Sequence, residues 1–295
     1  MKKIFYLAAA MSIAMFVSCD KKGAEGDDTK AEVTVAKDAL VLHLPFEDGS
    51  VAVGEGVTYA SKEGKAALVD GFIGNAYTNT SGDAKEAGYL KYNLAEANCI
   101  KSLKSFTFSA WVKRPALGSG AFFSVNGGEH DWGSTMHVMF DNSGVGEDGA
   151  TYQQFNARID SYKVGEDGNK YQASLWPNVQ GPEFAKVDEW YHVARTYDAA
   201  TGAWKVYVDG VLTHDGKHEE GPEDAKVSFG DLDLASPTMN ALYIGGWAAI
   251  IDGVNNQDWM TYFNGSIDEV RMYNRALTDV EVGELWKQEK LVSLE

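Results

Sequence analysis

The stretch Glu189–Thr213 (E-W-Y-H-V-A-R-T-Y-D-A-A-T-G-A-W-K-V-Y-V-D-G-V-L-T) constrains the fold more than any other part of this 295-residue chain. Two runs rich in β-branched and aromatic residues, Tyr191–Tyr197 and Trp204–Val208, flank a turn at Asp198–Gly202, and a second break falls at Asp209-Gly210. Such runs read as antiparallel strands joined by tight turns. Period-two alternation recurs at Leu40–Phe46, where Leu40, Leu42, Leu44 and Phe46 share a face, and at Ser105–Lys113, where Phe106, Phe108, Ala110 and Val112 do. Ala241–Gly245 and Ser266–Tyr273 are further strands. Many short strands separated by turn residues specify an all-β sandwich or barrel, and 31 Gly against 6 Pro suit it. One segment reads as a helix: Thr278–Glu281 (T-D-V-E) is a capping box, followed by Val282, Leu285 and Trp286 at helical spacing. Its apolar face is expected to close one end of the sandwich.

The first 38 residues read differently. Lys2 and Lys3 precede an uncharged apolar run, Ile4–Val17, which is a secretory signal too short to span a bilayer comfortably. Cys19 after Val17-Ser18 resembles a bacterial lipobox, which implies cleavage before Cys19 and its acylation as a stable anchor. Residues 20–38 carry no aromatic side chain and are rich in Lys, Asp, Glu, Gly and Ala, so they read as a flexible tether. Glu25, Asp27 and Asp28 resemble outer-surface export signals of Gram-negative lipoproteins, placed further along than usual. The expected localisation is an outer membrane-anchored lipoprotein, with the lipid as its only membrane contact. Residues 39–290 then form one domain of about 250 residues, normal for a β-sandwich. The net charge of −17 becomes −19 once Lys2 and Lys3 are removed. Such an acidic chain repels nucleic acid and anionic lipid, and suits neutral ligands and divalent cations. With Cys19 acylated, Cys99 is alone and reads as a small core residue.

Together with Phe263–Leu277 (F-N-G-S-I-D-E-V-R-M-Y-N-R-A-L), the Glu189–Thr213 hairpin resembles the laminin-G-like branch of the concanavalin A-like lectin/glucanase superfamily. The resemblance implies a two-sheet antiparallel jelly-roll sandwich. It also implies a structural calcium, because glucanases of this superfamily hold one through matching positions: the Pro45 carbonyl in Pro45-Phe46, the Gly74 carbonyl in G-F-I-G-N-A-Y, and Asp268 in I-D-E-V. Alternation puts Asp268 on the side of Val270 and Met272, where a buried carboxylate needs a cation or N–H partners. The glucanase motif E-x-D-x-(x)-E is missing: Glu followed two residues later by Asp occurs only at Glu25-Asp27 and Glu129-Asp131, with no third carboxylate.

Candidate ligand contacts are aromatic. Trp132, Trp176, Trp247 and Trp259 fall in turn-rich segments, and N-N-Q-D-W-M-T-Y adds Asp258 and Tyr262 to Trp259. Sugars stack on such rings while nearby polar groups bind hydroxyls. Trp111 and Trp190 read as covers of apolar edges. His130 beside Asp131, and His214-Asp215 with His218, lack zinc-site spacing and read as solvated loop histidines. V-G-E-D-G occurs twice, from Val145 and from Val164, and reads as two hairpin turns within an insertion, 118–186, that decorates one end of the fold. The expected function is non-catalytic binding of an oligo- or polysaccharide. A protein-interaction module or a divergent glycoside hydrolase or lyase are the alternatives.

Overall fold

The structure, a computed structural model, describes residues 32–127, 133–164, 168–220 and 227–294. Cys19, the expected signal peptide, His130 and Trp132 lie outside the described residues. Two antiparallel sheets pack face to face. In the first, Val211–Lys217, Ala203–Val208, Tyr191–Tyr197, Phe106–Lys113, Ser266–Tyr273 and Leu40–Leu44 follow one another across the sheet. In the second the order is Lys170–Leu175, Thr151–Val164, Ser134–Val145, Gly120–Asn126, Ala241–Ile244, Gly88–Leu94 and Val57–Gly64. The inner faces supply the main core, including Phe106, Phe108, Val193, Val206 and Met272 from one sheet and Phe123, Val138, Phe155, Ile159 and Leu242 from the other.

The expected hairpin forms as read. Tyr191–Tyr197 pairs with Ala203–Val208, with Val193 opposite Val208 and Tyr197 opposite Trp204. Asp198 closes the turn by accepting the Gly202 N–H on its carbonyl (2.8 Å) and the Thr201 hydroxyl on its carboxylate (2.7 Å). Asp209 and Gly210 both adopt positive φ, 50° and 74°, as a two-residue hairpin turn between right-twisted strands requires.

Four expectations need correction. The 118–186 segment is no decoration: its Gly120–Asn126, Ser134–Val145 and Thr151–Val164 strands occupy consecutive places in the second sheet. The two V-G-E-D-G copies stand at hairpins within it, where Val145 pairs with Thr151 and Val164 with Lys170. The C-terminal helix, Asp279–Val292, does carry the expected Thr278–Glu281 capping box, but it lies along the outer face of the first sheet rather than across an end. There Val282 and Leu285 pack on Ala194, Tyr207 and Tyr273. Packing also starts before the expected tether ends, since Val33, Val35 and Ala36 join that cluster and the Thr34 N–H donates to the Gln288 side chain (2.7 Å).

The fourth correction concerns Asp268. A bulge interrupts its strand where Glu269 takes φ +50°, and the register against Phe106–Lys113 shifts between Asp268 and Arg271. Ile267 therefore joins the main core beside Val270 and Met272, while Asp268 sits opposite Trp111. Trp111 itself is buried, stacked on Phe72 at 3.5 Å between ring centroids, and donates from Nε1 to Glu289 of the helix (2.8 Å).

Candidate functional site

On the outer side of the second sheet the Ser134–Val145 and Thr151–Val164 strands run side by side beneath a partial cover of loops. Met136, Val138 and Phe140 face the core, so His137, Met139 and Asp141 face outward; likewise Phe155, Ala157 and Ile159 alternate with Asn156, Arg158 and Asp160. His137 stands opposite Arg158, and Met139 opposite Asn156. Three tryptophans wall this floor. Trp176 comes from the link between Leu175 and Asn178, Trp247 from the end of the Ala241–Ile244 strand, and Trp259 from the loop after the short helix Ala248–Ile251. Gly245 makes the Trp247 turn possible: its φ is +90°, and a Cβ there would run into the Tyr77 hydroxyl.

The result is a cleft of about 270 Å³ lined by Trp176, Trp247, Trp259, His137, Arg158 and Asp141, together with Ser119, Met139 and Asn142. Trp247 and Trp259 meet nearly at right angles, 80° between planes and 5.7 Å between centroids. Trp247 is buried, whereas Trp176 and Trp259 are each 44% exposed. His137 lies 4.6 Å from Trp247, ring to ring. Burial, and then the Arg158 charge, push its pKa down to about 3, so it is neutral and its buried Nδ1 has no hydrogen-bond partner among the described residues. Arg158 lies 4.9 Å from the Trp176 ring and donates to Asp160 (3.0 Å) and Ser174 (2.9 Å). Burial raises the Asp141 carboxyl above its ordinary range.

Three of the expected ligand contacts thus converge. Tyr262 does not join them: it stacks on Tyr89 (6.2 Å, 8°) and packs against Gly246. Asp258 is exposed outside the cleft lining, and its carbonyl accepts from Lys85 Nζ. His137, Asp141 and Arg158 were not anticipated, although the alternation of M-H-V-M-F-D and F-N-A-R-I-D carried the signal. His214 is not in a loop but on the Val211–Lys217 strand against Phe184 (5.8 Å), and His218 is partly buried, with its pKa pushed down to about 4 by desolvation and by Arg195.

Two of the expected calcium ligands, Asp268 and Gly74, lie at the turn 71–74. Asp268 is fully buried; Oδ2 accepts the Phe72 and Ile73 N–H groups (2.8 and 2.9 Å) and Oδ1 that of Glu269 (2.7 Å). The Gly74 carbonyl accepts the Gly71 N–H (2.8 Å), and Glu47 sits where a Cβ on Gly74 would stand. A cation bound here would compete with these N–H groups for the Asp268 oxygens. Burial nevertheless pushes the Asp268 pKa up to about 9 against those bonds.

Several solved structures share the sandwich. A receptor binding domain matches with a TM-score of 0.53 and 14% identity over 85% of this chain and 51% of that one. The binding domain of botulinum neurotoxin DC, solved with rat synaptotagmin II, matches with 0.51 and 15% over 85% and 52%, so the chain spans about half of either. Domain 4 of an extracellular arabinanase from Geobacillus stearothermophilus, solved with arabinotriose, gives 0.47 and 23% over 84% and 98%. At these identities the first two show the fold alone. No curated protein matches the chain. A laminin G family model described as concanavalin A-like lectin/glucanases superfamily matches residues 86–283, about two thirds of the sequence, and the chain belongs to that family.

Proposed function

We propose that this is a non-catalytic glycan-binding protein held to the cell envelope by an acylated Cys19. The observation that carries the reading is the cleft: two half-exposed tryptophans and a buried third line it together with the polar side chains of Asp141, Asn142 and Ser119. Large apolar rings with a few orienting polar atoms are what a neutral sugar requires. Arg158 is already paired with Asp160, and Asp141 adds a negative charge, so the cleft disfavours anionic sugars. Hydrolysis by a pair of carboxyl groups needs two across one bond; among the described lining residues the cleft presents Asp141 alone. Val33, Val35 and Ala36 pack beside the C-terminal helix, on the face of the sandwich opposite the cleft.

A glycan-array screen of the purified protein tests this reading. Retention of a neutral oligosaccharide without shortening supports it; release of shorter products contradicts it. Calcium is proposed on the family resemblance, with Glu47 beside Gly74 as its local support. A cation bound only to the folded state stabilises it. Chelation should then lower the melting temperature of the calcium-loaded protein and leave Asp268→Ala unchanged; equal curves with and without chelator would remove calcium from the description.

A further inference from the structure

The shape of the cleft restricts which part of a glycan it can take, and this step rests on the glycan-binding reading above. Pockets that enclose drug-sized ligands run from roughly 300 Å³ upward, and this one is about 270 Å³. Trp247 and Trp259 do not form a coplanar shelf along which a chain could lie. Trp247 and Trp259 make a corner at 80°, and His137, 1% exposed, closes the bottom behind Trp247. A corner offers one wall to a ring face and the other to its edge, and it stops a chain that runs into it. The Asp141 carboxylate, the Ser119 hydroxyl and the Asn142 amide line the cleft and can bind hydroxyls of the ring seated there.

One side of the cleft continues into a different surface. Asn142 lines the cleft and donates to Gln154 Oε1 at 3.5 Å; Gln154 also accepts from Asn178 (3.2 Å) and donates to Gln180 (3.3 Å). These exposed amides form a ladder across three neighbouring strands, with Gln154 directly opposite Gln180. Two strand spacings cover about 10 Å, roughly two chain units of about 5 Å each. Each amide carries both donors and acceptors, so hydroxyl groups can exchange for its neighbours without leaving a polar group unmatched.

We infer that the protein captures the end of a neutral glycan chain, with one terminal sugar in the Trp247–Trp259 corner and the next sugars on the Asn142–Gln154–Gln180 amide ladder. The probes are linear neutral gluco-, xylo-, manno- and arabino-oligosaccharides of one to six units, with the parent polysaccharides, titrated calorimetrically into the full-length protein. In the series that binds, affinity should rise from one unit to about three and then level off. Polysaccharide binding should scale with the concentration of chain ends. A Gln154→Ala/Gln180→Ala variant should lose the rise, by about fivefold or more at three units, while keeping the wild-type affinity for the single sugar. Affinity that keeps climbing to six units, or polysaccharide stoichiometry that follows total sugar instead of ends, would overturn chain-end capture while leaving glycan binding intact. Absence of binding by every probe would overturn both.

Discussion

The two outer faces of the sandwich solve opposite problems. On the first sheet the C-terminal helix closes the face, and each buried charge is matched there: Arg271 donates to Glu289 (2.7 Å) and to Glu269, and Glu269 also contacts His43 Nε2 (2.8 Å). On the second sheet the outer side holds a cleft in which two tryptophans remain half exposed, and the buried Nδ1 of His137 has no partner among the described residues. Leaving buried polar atoms unmatched costs stability. That cost is not confined to one face, because Ser109 Oγ, His192 Nδ1 and the Tyr273 hydroxyl of the first sheet also lack partners among the described residues; what separates the faces is that the helix covers one while three tryptophans line a cleft on the other.

Arg271→Ala gives the largest expected effect. It leaves the buried carboxyl groups of Glu269 and Glu289 without their shared cation, and half-removal of a buried ion pair costs about 3–5 kcal/mol. Urea denaturation measures it; a loss under about 1 kcal/mol would break the contrast, because the closed face would then not be holding the fold.

The pH dependence of stability sharpens it. Burial pushes the Glu289 pKa from 4.5 up to about 7, with Arg271 and the Trp111 N–H opposing. A raised carboxyl keeps its proton in the folded chain while the unfolded chain releases it, so its contribution is full below about pH 4.5 and is lost as pH rises to about 7. Glu289→Gln should flatten the stability profile across that window relative to the wild type. Parallel profiles would show that Glu289 is ionised throughout.

How much of this could be read in the sequence follows from what each signal depends on. Strands such as Phe106–Lys113 and the Glu189–Thr213 hairpin are local patterns, and they form where expected. The capping box at Thr278 is equally local, but where the helix docks depends on distant partners such as Ala194 and Tyr207, and its position was misjudged. Asp268 was assigned the wrong face because alternation presumes an unbroken pleat, and Glu269 breaks it. Within the cleft the tryptophans stood out through their turn-rich surroundings. His137, Asp141 and Arg158 stay hidden because their segment reads as an insertion, and alternation names a sheet face only where the strand's place in a sheet is known.

The smallest effect belongs to the helix cap. Thr278→Ala removes the side chain that accepts the Glu281 N–H and should cost about 1 kcal/mol. Glycan affinity should not change, since the helix lies on the other face; a coupled loss of affinity would mean that the two faces are not independent.

The contrast is tested most directly by the glycan affinity of Trp259→Ala, compared with the wild type by titration calorimetry. Trp259 is half exposed at the cleft rim and touches Trp247, outside the main core. Burying a sugar face on such a ring contributes on the order of 1–3 kcal/mol. Affinity should fall about tenfold or more while the melting temperature stays within a degree or two of the wild type. Unchanged affinity in a folded variant would contradict the assignment of this cleft as the binding site.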